Sequence, residues 1–193
     1  KGAQIRGQSP DFNLEIDAKD IQPEDIELLT RELNLKETTP TTLESLSNSF
    51  GRENWFSEFR QMRSGAVYEE DGKKFPAPDS VAFWANANGV NVMAAEGLHS
   101  KLGRVFRLPY IVEKPAADSV GEIIKTLVAG HHVVLSFANH ETDLDYLLVS
   151  NLLTRRIRQA WEKSTNHFRS TGKDEPRPLV IVVEEAHKLL NRE

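Results

Sequence analysis

Residues 179–187 read Leu-Val-Ile-Val-Val-Glu-Glu-Ala-His, a β-branched apolar run that stops abruptly on two adjacent carboxylates. Both faces of such a segment are apolar and no alternation appears, so it is expected to be a strand buried on both sides within a parallel sheet. Pro178 opens it. Glu184 and Glu185 then fall at the C-terminal edge of that strand, which is where open α/β sheets bind their ligands.

Two acids at such an edge suit phosphoryl transfer from ATP. One carboxylate holds Mg²⁺, usually through a coordinated water, and a second group aligns or activates the nucleophile. Glu184 suits the metal and nucleotide role and Glu185 the catalytic one. Consecutive residues on a strand point to opposite sides, so neighbours in sequence can serve separate partners. The plainer alternative is a buried strand followed by two solvated acids that begin a helix, where negative charge favours the N-terminal dipole.

The preceding segment supplies the rest of a βαβ unit. Ser119-Val120-Gly121-Glu122 has the S-x-x-E capping pattern, and Val120, Ile123, Ile124, Leu127 and Val128 form an apolar stripe at helical spacing, closed by Gly130. Residues 132–137 read as a short strand. Thr142-Asp143-Leu144-Asp145 opens a long helix carrying Leu144, Leu148 and Leu152 together with Leu147, Leu153, Ile157 and Trp161. Residues 164–176 read as a loop leading to the last strand. Two strands joined by a long helix run parallel, with a right-handed crossover.

AGHHVVLSFANHETDLDYLLVSNLLTRRI at 129–157, followed by RPLVIVVEEAHKLL at 177–190, resembles the HerA-like ATPases, hexameric P-loop motors related to FtsK-type DNA translocases. The likeness is close over about the C-terminal third and looser before it. It implies a partial RecA-like parallel sheet, with Glu-Glu-Ala-His ending the Walker B strand, and an inserted helical region upstream. It further implies ATP and Mg²⁺ as cofactors, DNA as partner, a homo-hexameric ring and a NurA-type nuclease alongside.

One departure from that family is large. A P-loop needs G-x-x-x-x-G-K-[ST], whose backbone amides cradle phosphates while the Lys neutralises them. Gly72-Lys73-Lys74 has Val67 in place of the first Gly and Lys74 in place of Ser/Thr; Gly172-Lys173-Asp174 has His167 and Asp174 at those positions. The expectation is therefore a fragment of a larger ATPase, inactive alone, with its P-loop upstream. Two function classes follow: a piece of a DNA-translocating or helicase-type ATPase, or a non-enzymatic helical docking module on a degenerate ATPase fold.

The first half has a different character. Gln22-Pro23-Glu24-Asp25 starts a helix that leads into Ile26, Leu28, Leu29 and Leu33, and further helices are expected at 43–50, 53–62, 79–88 and 95–106. They are separated by 38–42, by a polar turn at 71–74 and by Pro76-Ala77-Pro78. The expected organisation is 1–22 as linker or remnant of the ATPase core, 23–115 as the helical insertion, and 116–193 as the partial core. The 193 residues, 39% of them hydrophobic, can bury a core. The apolar runs are too short to span a bilayer, which suggests a cytoplasmic protein with no membrane partner. The net charge of -5 disfavours a free-standing nucleic-acid module but not a motor with local DNA-facing loops.

Other residues invite functional readings that simpler ones outweigh. His131, His132 and His140 flank a strand without an accompanying acid pattern, so a metal site is rejected. Glu184-Glu185-Ala186-His187 lacks the H-E-x-x-H spacing of a zinc protease, and a DEAH-box helicase is a minor alternative. Lys101, Arg104 and Arg107, like Arg155, Arg156 and Arg158, read as solvated helix faces before DNA contacts or a trans-acting arginine. Trp55, Phe56 and Phe59 could stack on bases, but their helical spacing favours a core.

Overall fold

The computed structural model describes residues 10–137 and 142–184. It is a mixed α/β structure that divides into two compact units. One is continuous, Asp17–Lys114; the other joins Lys1–Ile16 to Pro115–Glu193. The strands form a small parallel pair, β1 (Ile16–Asp17) with β4 (Ile111–Val112), and an antiparallel hairpin, β2 (Val67–Glu70) with β3 (Lys73–Pro76).

In the continuous unit, α1 (Pro23–Glu27) starts with Pro23 in the first turn and the Asp25 carboxylate accepting from the Gln22 N–H at 2.8 Å. Its expected run to Leu33 does not form. The Thr30 hydroxyl donates to the Glu27 carbonyl and the Leu29 N–H reaches back only to Ile26, so the chain tightens into turns as far as Asn34, which takes a φ of 49°. Helix α2 (Thr39–Phe50) begins inside the stretch expected to separate helices, because Pro40 is tolerated where an N–H has no helical partner. Then α3 (Trp55–Gln61), α4 (Val81–Ala87) and α5 (Val92–Phe106) close around one aromatic core.

Trp55, Phe56 and Phe59 are wholly buried there, not presented to bases. Trp55 meets Phe56 edge-on at 5.5 Å, Phe56 meets Phe106 at 5.3 Å, and the Trp55 indole N–H donates to the Ile21 carbonyl at 3.0 Å. Two of the suspected DNA-binding cations are also occupied. The Lys101 ammonium donates to the Asn34 carbonyl, and the Arg104 guanidinium donates to the Glu32 carbonyl at 2.7 Å. They cap the turns after α1.

The hairpin stands where a polar turn was expected. Asp71 and Gly72 both take positive φ, 50° and 73°, which is the two-residue turn whose twist matches that of paired strands. Tyr68 stands opposite Phe75 and Glu70 opposite Lys73.

His99 on α5 lies edge-on to Phe59, with ring centroids 5.0 Å apart, and 5.4 Å from Phe106. Burial pushes its pKa below the ordinary 6.5, against the opposing pull of Glu96 and the carbonyls of Phe59 and Met62. Between the lowered value and 6.5, the unfolded chain binds a proton that the folded chain refuses, so stability falls as pH drops through 6.5. The urea midpoint of this unit, followed by Trp fluorescence, is expected to fall between about pH 7.5 and about pH 5.5, and His99→Gln is expected to flatten that slope.

In the second unit, α6 (Ser119–Val128) is capped by Asp118, which accepts from the Gly121 N–H at 2.8 Å. The cap thus lies one residue before the expected Ser119. The Ser119 hydroxyl instead accepts from the Glu15 N–H at 3.2 Å, and Glu15 accepts from the Ala116 N–H at 3.0 Å, so the two chain segments of this unit are stitched together. Helix α7 (Asp143–Thr171) buries Leu144, Leu148, Val149, Leu152, Leu153 and Ile157. Thr142 caps it by accepting from the Asp145 N–H at 3.2 Å.

Helix α7 absorbs the first half of the expected loop at 164–176. No Gly or Pro interrupts it before Gly172, whose φ of 69° ends it, and two hydroxyls fold back onto the helix backbone: Ser164 donates to the Ala160 carbonyl at 3.1 Å and Thr171 to that of His167 at 2.8 Å.

The expected strands at 132–137 and 179–183 differ more. Among the described residues neither segment carries strand pairing. A central parallel strand buries both faces and needs a hydrogen-bonded neighbour at its edges and helices above and below. That cover is incomplete here, and Val134, Val180 and Val182 are 88%, 81% and 80% exposed.

Candidate functional site

The second unit brings together the ends of its two apolar runs, although it does not pair them. At one end, the Arg177 guanidinium donates to the Ala129 carbonyl at 3.5 Å, while the Trp161 indole N–H donates to the Arg177 carbonyl at 2.9 Å. Gly130 makes that approach possible. It takes a φ of 87°, and a Cβ there would run into the Arg177 guanidinium. At the other end, the Tyr146 hydroxyl donates to the Glu184 carbonyl, and its ring packs on Phe137 with centroids 4.7 Å apart.

These contacts fix a direction. Ala129 and Arg177 meet at the start of the two runs, and Phe137 and Glu184 meet the same tyrosine at their ends, so both runs advance the same way and α7 returns against them. The lengths agree. Tyr146 and Trp161 are fifteen positions apart on α7, about 22 Å at about 1.5 Å per residue. The seven steps from Arg177 to Glu184 would span about 23 Å if fully extended, at about 3.3 Å per residue.

Glu184 therefore stands at the far end of the second apolar run, where the Tyr146 hydroxyl of α7 reaches its carbonyl. It is exposed. Glu185, the expected catalytic residue, lies outside the described residues, as does His140. Among the described residues no group of three His, Cys, Asp or Glu is close enough to hold a metal ion. A lone accessible carboxylate such as Glu184 still fits Mg²⁺ bound with a nucleotide, since that ion takes most of its oxygens from phosphates and water and only one or two from protein. The phosphate cradle itself has no counterpart in this sequence.

Neither Tyr146 nor Arg177 stands out in the sequence. Tyr146 lies between Leu144 and Leu148 and off their stripe, where it reads as an ordinary helix residue. Arg158, one of the considered trans arginines, pairs with Glu162 at 2.7 Å along α7. Among the described residues no helix is long and apolar enough to cross a membrane. No protein-family model matches the chain, and no curated protein or solved structure is significantly similar to it.

Proposed function

We propose that this chain is part of a HerA-like, ATP-driven DNA translocase or helicase motor. In this reading the second unit is a partial RecA-like core and the continuous unit is a helical insertion. The observation that carries it is the arrangement around Tyr146: two β-branched runs advancing in the same direction along one helix, with Glu184 at the end of the second. Glu184 would hold Mg²⁺ through a coordinated water, and Glu185 would accept the proton of the attacking water. The bound metal and nucleotide supply charge neutralisation and the transferable phosphoryl group. A homo-hexameric ring, DNA as track and a NurA-type nuclease partner belong to the same proposal.

Two measurements test it. Calorimetric titration of the 193-residue chain with Mg-ATP is expected to show no micromolar binding, because the phosphate-cradling amides and Lys are absent from its sequence. A protein that carries this chain downstream of a P-loop is expected to turn over Mg-ATP, faster with DNA present. Such a protein that does not hydrolyse ATP refutes the motor and leaves the docking module.

A further inference from the structure

The helical unit carries two exposed features that its own core does not explain. The first is a cleft of about 480 Å³ walled by Phe50, Phe83 and Trp84, with Met62 and Pro78 beside them and Glu58 at its rim. Its size falls within the range of about 300–1,000 Å³ that takes a compact ligand or a few side chains. Phe83 is 47% exposed. Glu58 is exposed and has no ion-pair partner among the described residues, and no cation lines the cleft.

The second feature is the β2–β3 hairpin. Isolated two-stranded hairpins are marginal in water, yet this one is exposed on both faces and packs extensively on no other element. Strand alternation puts Tyr68, Glu70, Lys73 and Phe75 on one face. Tyr68 and Phe75 stack at 5.7 Å while remaining 43% and 39% exposed. Lys73 stands opposite Glu70 in the ladder but makes no ion pair among the described residues. The two-residue turn at Asp71 and Gly72 joins the two strands of this face.

The two features complement each other: an aromatic pair on a face where Lys73 and Glu70 stand opposite one another, and an aromatic cleft where Asp79 is already held by Arg63 at 2.6 Å while Glu58 makes no ion pair among the described residues. We propose that the Tyr68 and Phe75 face of the hairpin of one copy seats in the Phe50, Phe83 and Trp84 cleft of a second copy, with Lys73 against Glu58. Aromatic rings gain from edge-on and offset contacts beyond their buried area, and the charge pair sets the register. The contact is heterologous, since hairpin and cleft are different surfaces, so each copy keeps one of each free and the assembly closes as a ring or extends. It does not rest on the nucleotide reading.

Sedimentation velocity of the 193-residue chain from about 1 to about 500 μM is expected to show concentration-dependent association within that affinity range. Glu58→Lys and Lys73→Glu are each expected to weaken it about tenfold or more by placing like charges together, and Phe83→Asp to abolish it. These residues are exposed, so circular dichroism is expected to be unchanged. The decisive arm is an equimolar mixture of Glu58→Lys and Lys73→Glu. Its alternating copies restore opposite charges at every contact, and association is expected to return, as loss of folding could not be rescued in trans. A chain monomeric throughout, association insensitive to these substitutions as it would be through the exposed runs at 133–135 and 180–183, or a mixture without rescue overturns the proposal.

Discussion

Phe59→Ala is expected to destabilise the helical unit by about 3–5 kcal/mol, the usual scale for emptying a large aromatic site in a close-packed core. Phe59 is 0% exposed and its ring touches three others, Trp84 at 6.1 Å, His99 at 5.0 Å and Phe106 at 6.3 Å. The substitution therefore removes apolar area and aromatic contacts together, at the point where α3, α4 and α5 converge. Domains keep only about 5–15 kcal/mol in total, so a large fraction of the unit's stability goes with it. Phe83→Ala is the matched comparison. That ring is 47% exposed in the cleft, and its loss is expected to cost far less. Urea unfolding followed by Trp fluorescence measures both; similar losses for the two variants would mean that Phe59 is not the centre of the core.

What could be read in advance follows from which interactions are local. Helix α5 was legible because Leu98, Leu102, Val105 and Phe106 repeat at one helical face, and burial follows that face. The hairpin was not, because its strands are four residues each and mix Glu69, Glu70, Lys73 and Lys74 with two aromatics, which hides a period of two. Its Asp-Gly turn was the available signal. The end of α7 is hidden because polarity at 164–171 resembles that of a loop, whereas helix termination needs a backbone reason, and Gly172 is the first one.

The apolar runs mark a different limit. Periodicity shows that residues 132–137 and 179–183 suit burial on both faces, but pairing also requires neighbouring edges and cover, which no local pattern contains. Glu184 was legible from its position after such a run. The clamp that fixes its carbonyl was not, since Tyr146 acts through a hydroxyl reaching thirty-eight residues along the chain.

Under the proposed motor reading, Glu184 and Glu185 are expected to respond differently in a protein that carries this chain together with a P-loop. Glu185→Gln should retain nucleotide and assembly while turnover falls by about a hundredfold or more, because the amide keeps the shape but cannot accept the proton of the attacking water, and general-base catalysis contributes on that scale. Glu184→Ala should weaken the Mg²⁺ dependence and nucleotide binding instead, since it removes an oxygen that positions the metal and leaves the proton acceptor in place. Tyr146 donates to the Glu184 backbone carbonyl rather than to its side chain, so the alanine variant keeps this end of the segment anchored and the loss reports the carboxylate itself. Steady-state ATPase assays across Mg²⁺ concentrations, with DNA present, separate a fall in kcat from a rise in the metal requirement. If Glu185→Gln hydrolyses saturating Mg-ATP at the wild-type rate, Glu185 is not the catalytic base and the paired acids return to the simpler role of solvated charge after an apolar run.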